Sequence, residues 1–168
     1  MTPLYIFDLD GTLAVTEHRQ HILMDKEDKQ RWARFYAACV DDTPNWPVVD
    51  TFCHLASVAD VLIWSGREAS VREATVSWLL SHLGPRLYSE SLGGPGDFRG
   101  TRGWFQSRLT MRPVGDYTPD DQLKLNWHMN LDPADQQRLV AVFDDRNRMV
   151  KAWRSHGIAC FQVAEGEF

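Results

Sequence analysis

Five short apolar runs alternate along the chain with segments of helical periodicity. The runs cover residues 4–7, 61–64, 109–111, 140–143 and 159–163, and helices are predicted between them at 47–59, 70–82, 119–130 and 146–156. Strands that alternate with helices favour an α/β fold, a doubly wound and mostly parallel sheet with helices on both faces. In such a sheet the ligand site lies at the carboxyl ends of the strands.

Length and composition indicate one domain of ordinary size, covering residues 1–168. The chain has 168 residues, of which 43% are hydrophobic and 24% charged, as is typical of a folded globular protein. No apolar run approaches the ~20 residues of a membrane helix, and the start has no basic region followed by an apolar stretch. We therefore expect neither a membrane span nor a secretory signal.

Charge and cysteine content restrict the partner and the compartment. The formal net charge of −5 argues against an extended grip on duplex DNA, although a small anionic substrate can still bind where positive charge is gathered locally. Cys39, Cys53 and Cys160 are odd in number and far apart, which fits neither a disulfide framework nor a zinc site. We expect three small buried side chains in a reducing, cytoplasmic compartment.

Two segments depart from the alternation of strands and helices. Residues 14–46 follow the first strand and include an amphipathic stretch at 25–40, so we expect a small helical cap over the site. Residues 85–106 are rich in glycine and connect a helix to the next strand, which places them at the opposite edge of the sheet. We expect Tyr88, Phe98, Trp104 and Phe105 to be exposed there, as a surface for a partner or for self-association into a homo-oligomer.

The first strand ends in two aspartates, Asp8 and Asp10, followed by Gly11. Residues two apart in a strand point to the same side, so the two carboxylates converge. Like charges that close need a shared proton or a cation, and carboxylates without sulfur or imidazole suit Mg²⁺. The alternative is that Asp10-Gly11 is an ordinary hairpin turn.

Polar groups also follow the other strands. Each has a simpler explanation: a surface arginine, an ion pair between Asp120 and Lys124 on one helix, or a turn and helix cap at Asp144-Asp145. Together, at neighbouring strand ends, they indicate a site for metal-assisted phosphoryl transfer. The groups are Ser65-Gly66-Arg67, Arg112, Asp120 with Lys124, and Asp144-Asp145-Arg146.

The motifs Phe7-Asp8-Leu-Asp10-Gly-Thr-Leu13, Ser65, Lys124 and Asp144-Asp145 resemble the four-motif set of the haloacid dehalogenase-like phosphohydrolases. Finer similarities are to the phosphatase domain of phage-type polynucleotide kinase–phosphatases: Arg19, Ser65-Gly66-Arg67-Glu68, Asp120 before Lys124, and the ending 160–168. The resemblance implies a Rossmann-like core with a cap after the first strand. The phosphate-binding loop of the kinase half is not present in this sequence, and the resemblance does not explain residues 85–106.

The resemblance also implies the role of each site residue. Asp8 would be the nucleophile, and Asp10 the general acid and then the general base. Ser65 and Lys124 would bind the phosphoryl oxygens. The cofactor would be Mg²⁺, with Asp8, Asp10 (through its backbone carbonyl), Asp144 and Asp145 as its metal-binding residues. Substrate-binding residues would be Arg19, Arg67, Arg112, Asp120 and Arg146.

Aromatic and histidine residues allow a further distinction. Trp64, Trp78, Trp127 and Trp153 lie in strand or helix patterns and are expected in the core, whereas His18 and His21 are expected at the polar surface. Better placed to meet a nucleobase are Trp32 and Trp46, with the neighbouring Phe35 and Tyr36.

The sequence therefore predicts a Mg²⁺-dependent phosphomonoesterase. The expected substrate is a nucleotide or a single-stranded nucleic-acid end, and the preference for a 3′-phosphate comes from the resemblance alone. The alternatives are a phosphatase of another phosphorylated small molecule and, in a different class, a non-catalytic binding module on the same fold.

Overall fold

A computed structural model of the protein describes residues 1–90 and 98–166. Its central sheet has five strands, and every neighbouring pair is parallel. The strands are β1 (Leu4–Asp8), β4 (Asp60–Glu68), β5 (Leu109–Arg112), β6 (Leu139–Arg146) and β7 (Cys160–Gly166), in the order β5-β4-β1-β6-β7. A separate antiparallel pair consists of β2 (Ala14–Val15) and β3 (Thr43–Pro44). The predicted mostly parallel sheet is confirmed.

Helices connect the strands of the sheet. Helices α1 (Glu17–Met24) and α2 (Arg31–Ala37) belong to the predicted cap, and α3 (Trp46–Val58) leads back to β4. The others are α4 (Arg72–His82), α5 (Gly84–Glu90), α6 (Arg102–Arg108), α7 (Asp120–Met129), α8 (Pro133–Arg138) and α9 (Asn147–Ser155).

Apolar cores lie on both faces of the sheet, because neighbouring residues of a strand point to opposite sides. Phe7 and Ile63 pack in one core with residues of α3, α4 and α6. Ile6 and Trp64 pack in the other core, with residues of α9. The two cores show the doubly wound arrangement that the sequence predicts.

The core residues include most of the predicted ones. Trp64, Trp78 and Trp153 are buried, and Trp127 packs against the second core. Cys39, Cys53 and Cys160 are buried and free, as expected. Within residues 1–90 and 98–166, no helix has the length and apolar character needed to cross a membrane.

The segment at 85–106 differs from the prediction. Tyr88 and Phe98 are exposed, but Trp104 and Phe105 are buried, so their predicted exposure is wrong. The reason is that residues 102–108 form α6, which turns both rings into the core beside Phe52 rather than leaving them on a loop. Residues 91–97 of this segment and residues 167–168 of the C-terminal motif lie outside the described residues.

Candidate active site

Asp8 lies at the carboxyl end of β1, where α7 and β6 bring a lysine and a second carboxylate against it. The Lys124 Nζ is 2.7 Å from Asp8 Oδ1 and donates to Asp144 Oδ2 at 3.0 Å. All three side chains are buried. Burial lowers the pKa of Lys124, but the Asp144 and Asp8 carboxylates outweigh burial and raise it above its ordinary value. Lys124 is thus held as a permanent cation beside Asp8.

Three buried carboxylates form a group that fits a metal ion. Asp8, Asp144 and Asp145 each offer an oxygen, and these oxygens lie within 4.8 Å of one another. Burial raises the pKa of Asp145 to about 6, with the neighbouring Asp144 charge acting in the same direction. Burial likewise raises the pKa of Asp8, and Lys124 only partly opposes it. Ionising all three carboxylates would give the group more negative charge than Lys124 balances, and its all-oxygen donors suit Mg²⁺.

The turn after β1 brings Thr12 to this group. The Thr12 Oγ1 donates to Asp145 Oδ1 at 3.2 Å. Gly11 has a φ of +83°, and a Cβ there would lie 2.1 Å from Asp145 Oδ2. Glycine is thus required both by the backbone and by the approach of Asp145. The segment is not the turn of a hairpin, because β2 pairs with β3 and not with β1.

Asp10 lies between two fully buried arginines. Its Oδ1 accepts from Arg19 Nη2 at 2.7 Å and from Arg67 Nε at 2.8 Å and Nη2 at 2.5 Å. Burial raises the pKa of Asp10, but Arg67 and Arg19 outweigh burial and lower it below the ordinary value. In the substrate-free protein Asp10 is therefore held in its ionised form.

Asp42 completes this cluster, and sequence reasoning missed it. It accepts from Arg19 Nε at 2.7 Å and Nη2 at 2.8 Å, and from Arg67 Nη2 at 2.5 Å. The Trp78 indole donates to the Asp42 carbonyl at 2.7 Å, which fixes the backbone there. Asp42 lies near the end of the cap segment and belongs to no recognisable motif. Only the presence of two buried arginines, each needing an anion, could have indicated it.

Ser65 lies one residue beyond the point where β4 pairs with Asp8, since Asp8 is opposite Trp64. It is buried, and its Oγ accepts from the Arg67 backbone N–H at 3.2 Å. This contact spans the bulge of β4 at Gly66, where the pairing with β5 shifts register and an added Cβ would lie 2.6 Å from Asp120 Oδ1. The bulge therefore presents Ser65 beside Asp8 and directs Arg67 to Asp10.

Arg112, Asp120 and Arg146 form a second group, joined to one another. Asp120 accepts from Arg112 Nη2 at 2.5 Å through one oxygen and from Arg146 Nη1 at 2.6 Å through the other. Arg112 Nε also donates to the Gly66 carbonyl at 2.9 Å. The structure thus joins these three predicted substrate-binding residues in one hydrogen-bonded group beside Gly66. Both carboxylate oxygens of Asp120 accept hydrogen bonds within it.

Some of the polar and aromatic residues of the cap segment contact the site, and others lie away from it. Arg19 enters the site from α1, and His18 Nε2 lies 2.9 Å from Asp42 Oδ1, so His18 contacts the cluster while His21 is exposed. Helix α2 carries Phe35 and Tyr36. Trp46 lies apart, at the start of α3, with the Arg86 guanidinium 4.4 Å from its ring centroid.

Comparisons with known proteins agree with the fold and with the family that the motifs indicate. Residues 95–168 match the family model of the polynucleotide kinase PNKP phosphatase domain. The chain is 28% identical over 148 residues to a protein of Autographa californica nuclear polyhedrosis virus, described as a candidate bifunctional polynucleotide kinase/RNA ligase. This alignment covers 88% of the chain and 17% of the viral protein.

Two solved structures resemble nearly the whole chain. One is from the structure of the Pnkp1/Rnl/Hen1 RNA repair complex, with a TM-score of 0.65, 25% identity, and coverage of 99% of this chain and 44% of the other. Another Pnkp1/Rnl/Hen1 complex gives a TM-score of 0.62, 25% identity, and coverage of 99% and 48%. The chain thus spans less than half of these relatives. The resemblance that the sequence motifs indicate is confirmed.

Proposed function

We propose that the chain, which resembles the haloacid dehalogenase-like phosphatase domains of the polynucleotide kinase type, hydrolyses the 3′-phosphate of a nucleotide or of a single-stranded nucleic-acid end. The observation that carries this proposal is the pair of clusters at the end of β1. One holds Asp8 against Lys124, and the other holds Asp10 between Arg19 and Arg67. A nucleophile and a proton donor two residues apart are what transfer of a phosphoryl group to a carboxylate requires.

In the first step an oxygen of Asp8 attacks the phosphorus. The bond from phosphorus to the 3′-oxygen breaks, and that oxygen takes a proton from the Asp10 carboxyl group. Lys124 and Ser65 lie beside Asp8, where an N–H and an O–H can donate to the phosphoryl oxygens. The products are the free 3′-hydroxyl and an aspartyl-phosphate on Asp8.

In the second step a water molecule attacks the aspartyl-phosphate. Asp10, now ionised, takes a proton from this water, and the bond between phosphorus and the Asp8 oxygen breaks. Asp8 regains its carboxylate, and inorganic phosphate leaves. The two arginines favour the ionised Asp10 that this step needs. They also mean that the first step depends on Asp10 gaining a proton when substrate binds.

Asp8, Asp144 and Asp145 are the residues that would hold Mg²⁺. When bound, the ion neutralises phosphate charge and orients the phosphoryl group. The convergence of three buried carboxylates on one lysine supports this assignment, because they need a further counter-charge to ionise together.

The substrate class is supported by the relatives and by the charge of the molecule. Their names refer to polynucleotide kinase, RNA ligase and RNA repair, which supports an RNA or DNA end as substrate. The net charge of −5 favours a short single-stranded end over a long duplex.

The test is phosphate release from matched substrates: a 3′-phosphorylated oligonucleotide, its 5′-phosphorylated counterpart, and glycerol 2-phosphate. We expect Mg²⁺-dependent turnover with the 3′-phosphorylated end hydrolysed fastest. The Asp8→Asn variant should be inactive while its circular dichroism spectrum is unchanged, since the amide keeps the shape but cannot attack phosphorus. Faster hydrolysis of glycerol 2-phosphate would favour a non-nucleotide metabolite, and tight binding without turnover would favour a binding module.

A further inference from the structure

Helix α2 of the cap carries three aromatic residues, Trp32, Phe35 and Tyr36, which we call the α2 aromatic cluster. The Trp32 ring centroid lies 6.0 Å from that of Phe35, in an edge-to-face arrangement, and 5.9 Å from that of Tyr36. Trp32 is 48% exposed, whereas Phe35 is buried. The cluster therefore has a buried base and an open upper surface.

The buried base rests on a residue of the active site. The Arg19 guanidinium lies 4.1 Å from the Phe35 ring centroid, and its Nη1 donates to the Phe35 carbonyl at 3.1 Å. The same side chain donates to Asp10 at 2.7 Å. One arginine thus fixes the position of α2 relative to the proton donor, so the cluster and the reacting groups form one rigid arrangement.

Tyr36 places the cluster at the side of the site mouth. Its Oη is 3.5 Å from the Gly66 carbonyl oxygen, which also accepts from Arg112. Gly66 lies between Ser65, beside Asp8, and Arg67, which binds Asp10. The cluster therefore borders the segment that brings Ser65 and Arg67 to the two reacting carboxylates.

We propose that Trp32 and Tyr36 form a stacking platform for the base of the terminal nucleotide, an inference that rests on the proposed function. Exposed aromatic faces bind bases of single-stranded nucleic acids through stacking, which tolerates any sequence because every base has a π-face. The platform needs no excess positive charge, which agrees with the acidic chain. It gives the active site a preference for a phosphate that carries a nucleoside, without reading which base it is.

The platform is tested by comparing two substrates that share a secondary phosphate ester, a nucleoside 3′-monophosphate and glycerol 2-phosphate, which lacks the nucleoside. For Trp32→Ala we expect a loss of about ten-fold or more in kcat/KM on the nucleotide, from one lost stacking contact. The loss should lie mainly in KM and should be much smaller on glycerol 2-phosphate. Trp32→Phe, which keeps an aromatic face, should recover most of the activity.

Phe98→Ala is the matched control, because Phe98 is 71% exposed and lies next to Arg99, which bonds to the far end of α3. This variant should leave kcat/KM unchanged on both substrates. Equal losses on both substrates for Trp32→Ala would overturn the platform and show that Trp32 acts through the fold of the cap. No loss on either substrate would overturn it too, and would leave the exposed ring as a protein-binding surface.

The proposed function is tested separately, by the preference of the wild-type protein between the two substrates. If wild type hydrolyses the nucleotide no better than glycerol 2-phosphate, the proposed substrate class is wrong, whatever the variants do. If wild type prefers the nucleotide and Trp32→Ala keeps that preference, only the platform is wrong. Loss of the preference in Trp32→Ala supports both.

Discussion

Asp10 faces opposing requirements, and its two arginine neighbours determine how they are met. A general acid must hold a proton, yet Arg67 and Arg19 lower the pKa of Asp10 and favour the ionised form. In the proposed reaction the entering phosphate is itself an anion that would compete for the same guanidinium groups. We therefore expect its binding to weaken their hold on Asp10, so that the carboxyl group gains a proton and its protonated fraction limits the first step.

This balance predicts a pH dependence that differs between leaving groups. Because the pKa of Asp10 is lowered, its protonated fraction falls as the pH rises, so kcat on a nucleoside 3′-monophosphate should fall from pH 6 to pH 9 at saturating Mg²⁺. The decline should approach about ten-fold per pH unit if protonation is limiting. On p-nitrophenyl phosphate, whose leaving group needs little protonation, it should be shallower.

Asp10→Asn is the control for that pH profile. It should lose far more activity on the nucleotide than on p-nitrophenyl phosphate, and the difference between the two pH slopes should vanish. Equal losses on both substrates would contradict the role of Asp10 as the acid.

Asp42 gives a prediction for stability as well as for activity. It is fully buried and bonds to both buried arginines, so Asp42→Asn leaves two guanidinium groups with one carboxylate. We expect the free energy of unfolding, measured by urea denaturation, to fall by about 3–5 kcal/mol, the cost of breaking a buried ion pair. Activity should fall too, because both arginines position Asp10. Asp28→Asn removes an ion pair with Arg34, whose side chain is 65% exposed. It should lower the free energy of unfolding by about 1 kcal/mol or less. Similar losses in the two variants would contradict the role given to Asp42.

At the scale of elements, the strands could be predicted because they are continuous apolar runs between polar turns. All five predicted runs lie within or next to observed strands. The candidate site could be located for the same reason, since Asp8, Ser65 and Asp144 lie at the ends of those runs. Asp42 could not, because its partners are distant in sequence and meet it only in the folded chain.

The cap is helical, as expected, but not along the whole amphipathic stretch at 25–40. Helix α1 ends at Met24, and α2 begins only at Arg31. Asp25 accepts from the backbone N–H groups of Glu27 and Asp28, and Asp28 accepts from that of Gln30. Such local side-chain bonds offer the backbone an alternative to the helix, and here they divide the cap.

Helix α6 also gives a prediction at this scale. Phe105 is fully buried in the first core, so Phe105→Ala should lower the free energy of unfolding by about 3–5 kcal/mol. Phe98→Ala, at an exposed ring of the same segment, should stay within about 0.5 kcal/mol. Turnover of glycerol 2-phosphate by the folded fraction should be similar in both, because α6 leads into the start of β5, at the edge of the sheet opposite the site. A loss of turnover in folded Phe105→Ala would show that the segment acts on the site.

At the scale of the whole molecule, the sheet brings together carboxylates that are unfavourable without a counter-ion. Burial raises the pKa values of Asp8 and Asp145, the latter to about 6, above the unfolded value of 3.8. Between these two values the folded state binds more protons than the unfolded state, so the contribution of these groups to stability falls as the pH rises. The pKa of Asp10 is lowered, so its contribution to stability changes only at pH values below this range and does not cancel the effect of Asp8 and Asp145.

Mg²⁺ should therefore stabilise the molecule most where those carboxylates are ionised. At a concentration about 100 times its Kd, a ligand that binds only the folded state adds about 2.7 kcal/mol, which is about 5–10 °C in Tm for a domain of this size. We expect that increase at pH 7.5 and a much smaller one at pH 5, since protons compete for the same oxygens. KCl at matched ionic strength is the control for screening, and Asp145→Asn should reduce the increase at pH 7.5. The same Mg²⁺ effect at both pH values would place the ion elsewhere, because a site built from carboxylates with raised pKa values must lose affinity as they take up protons.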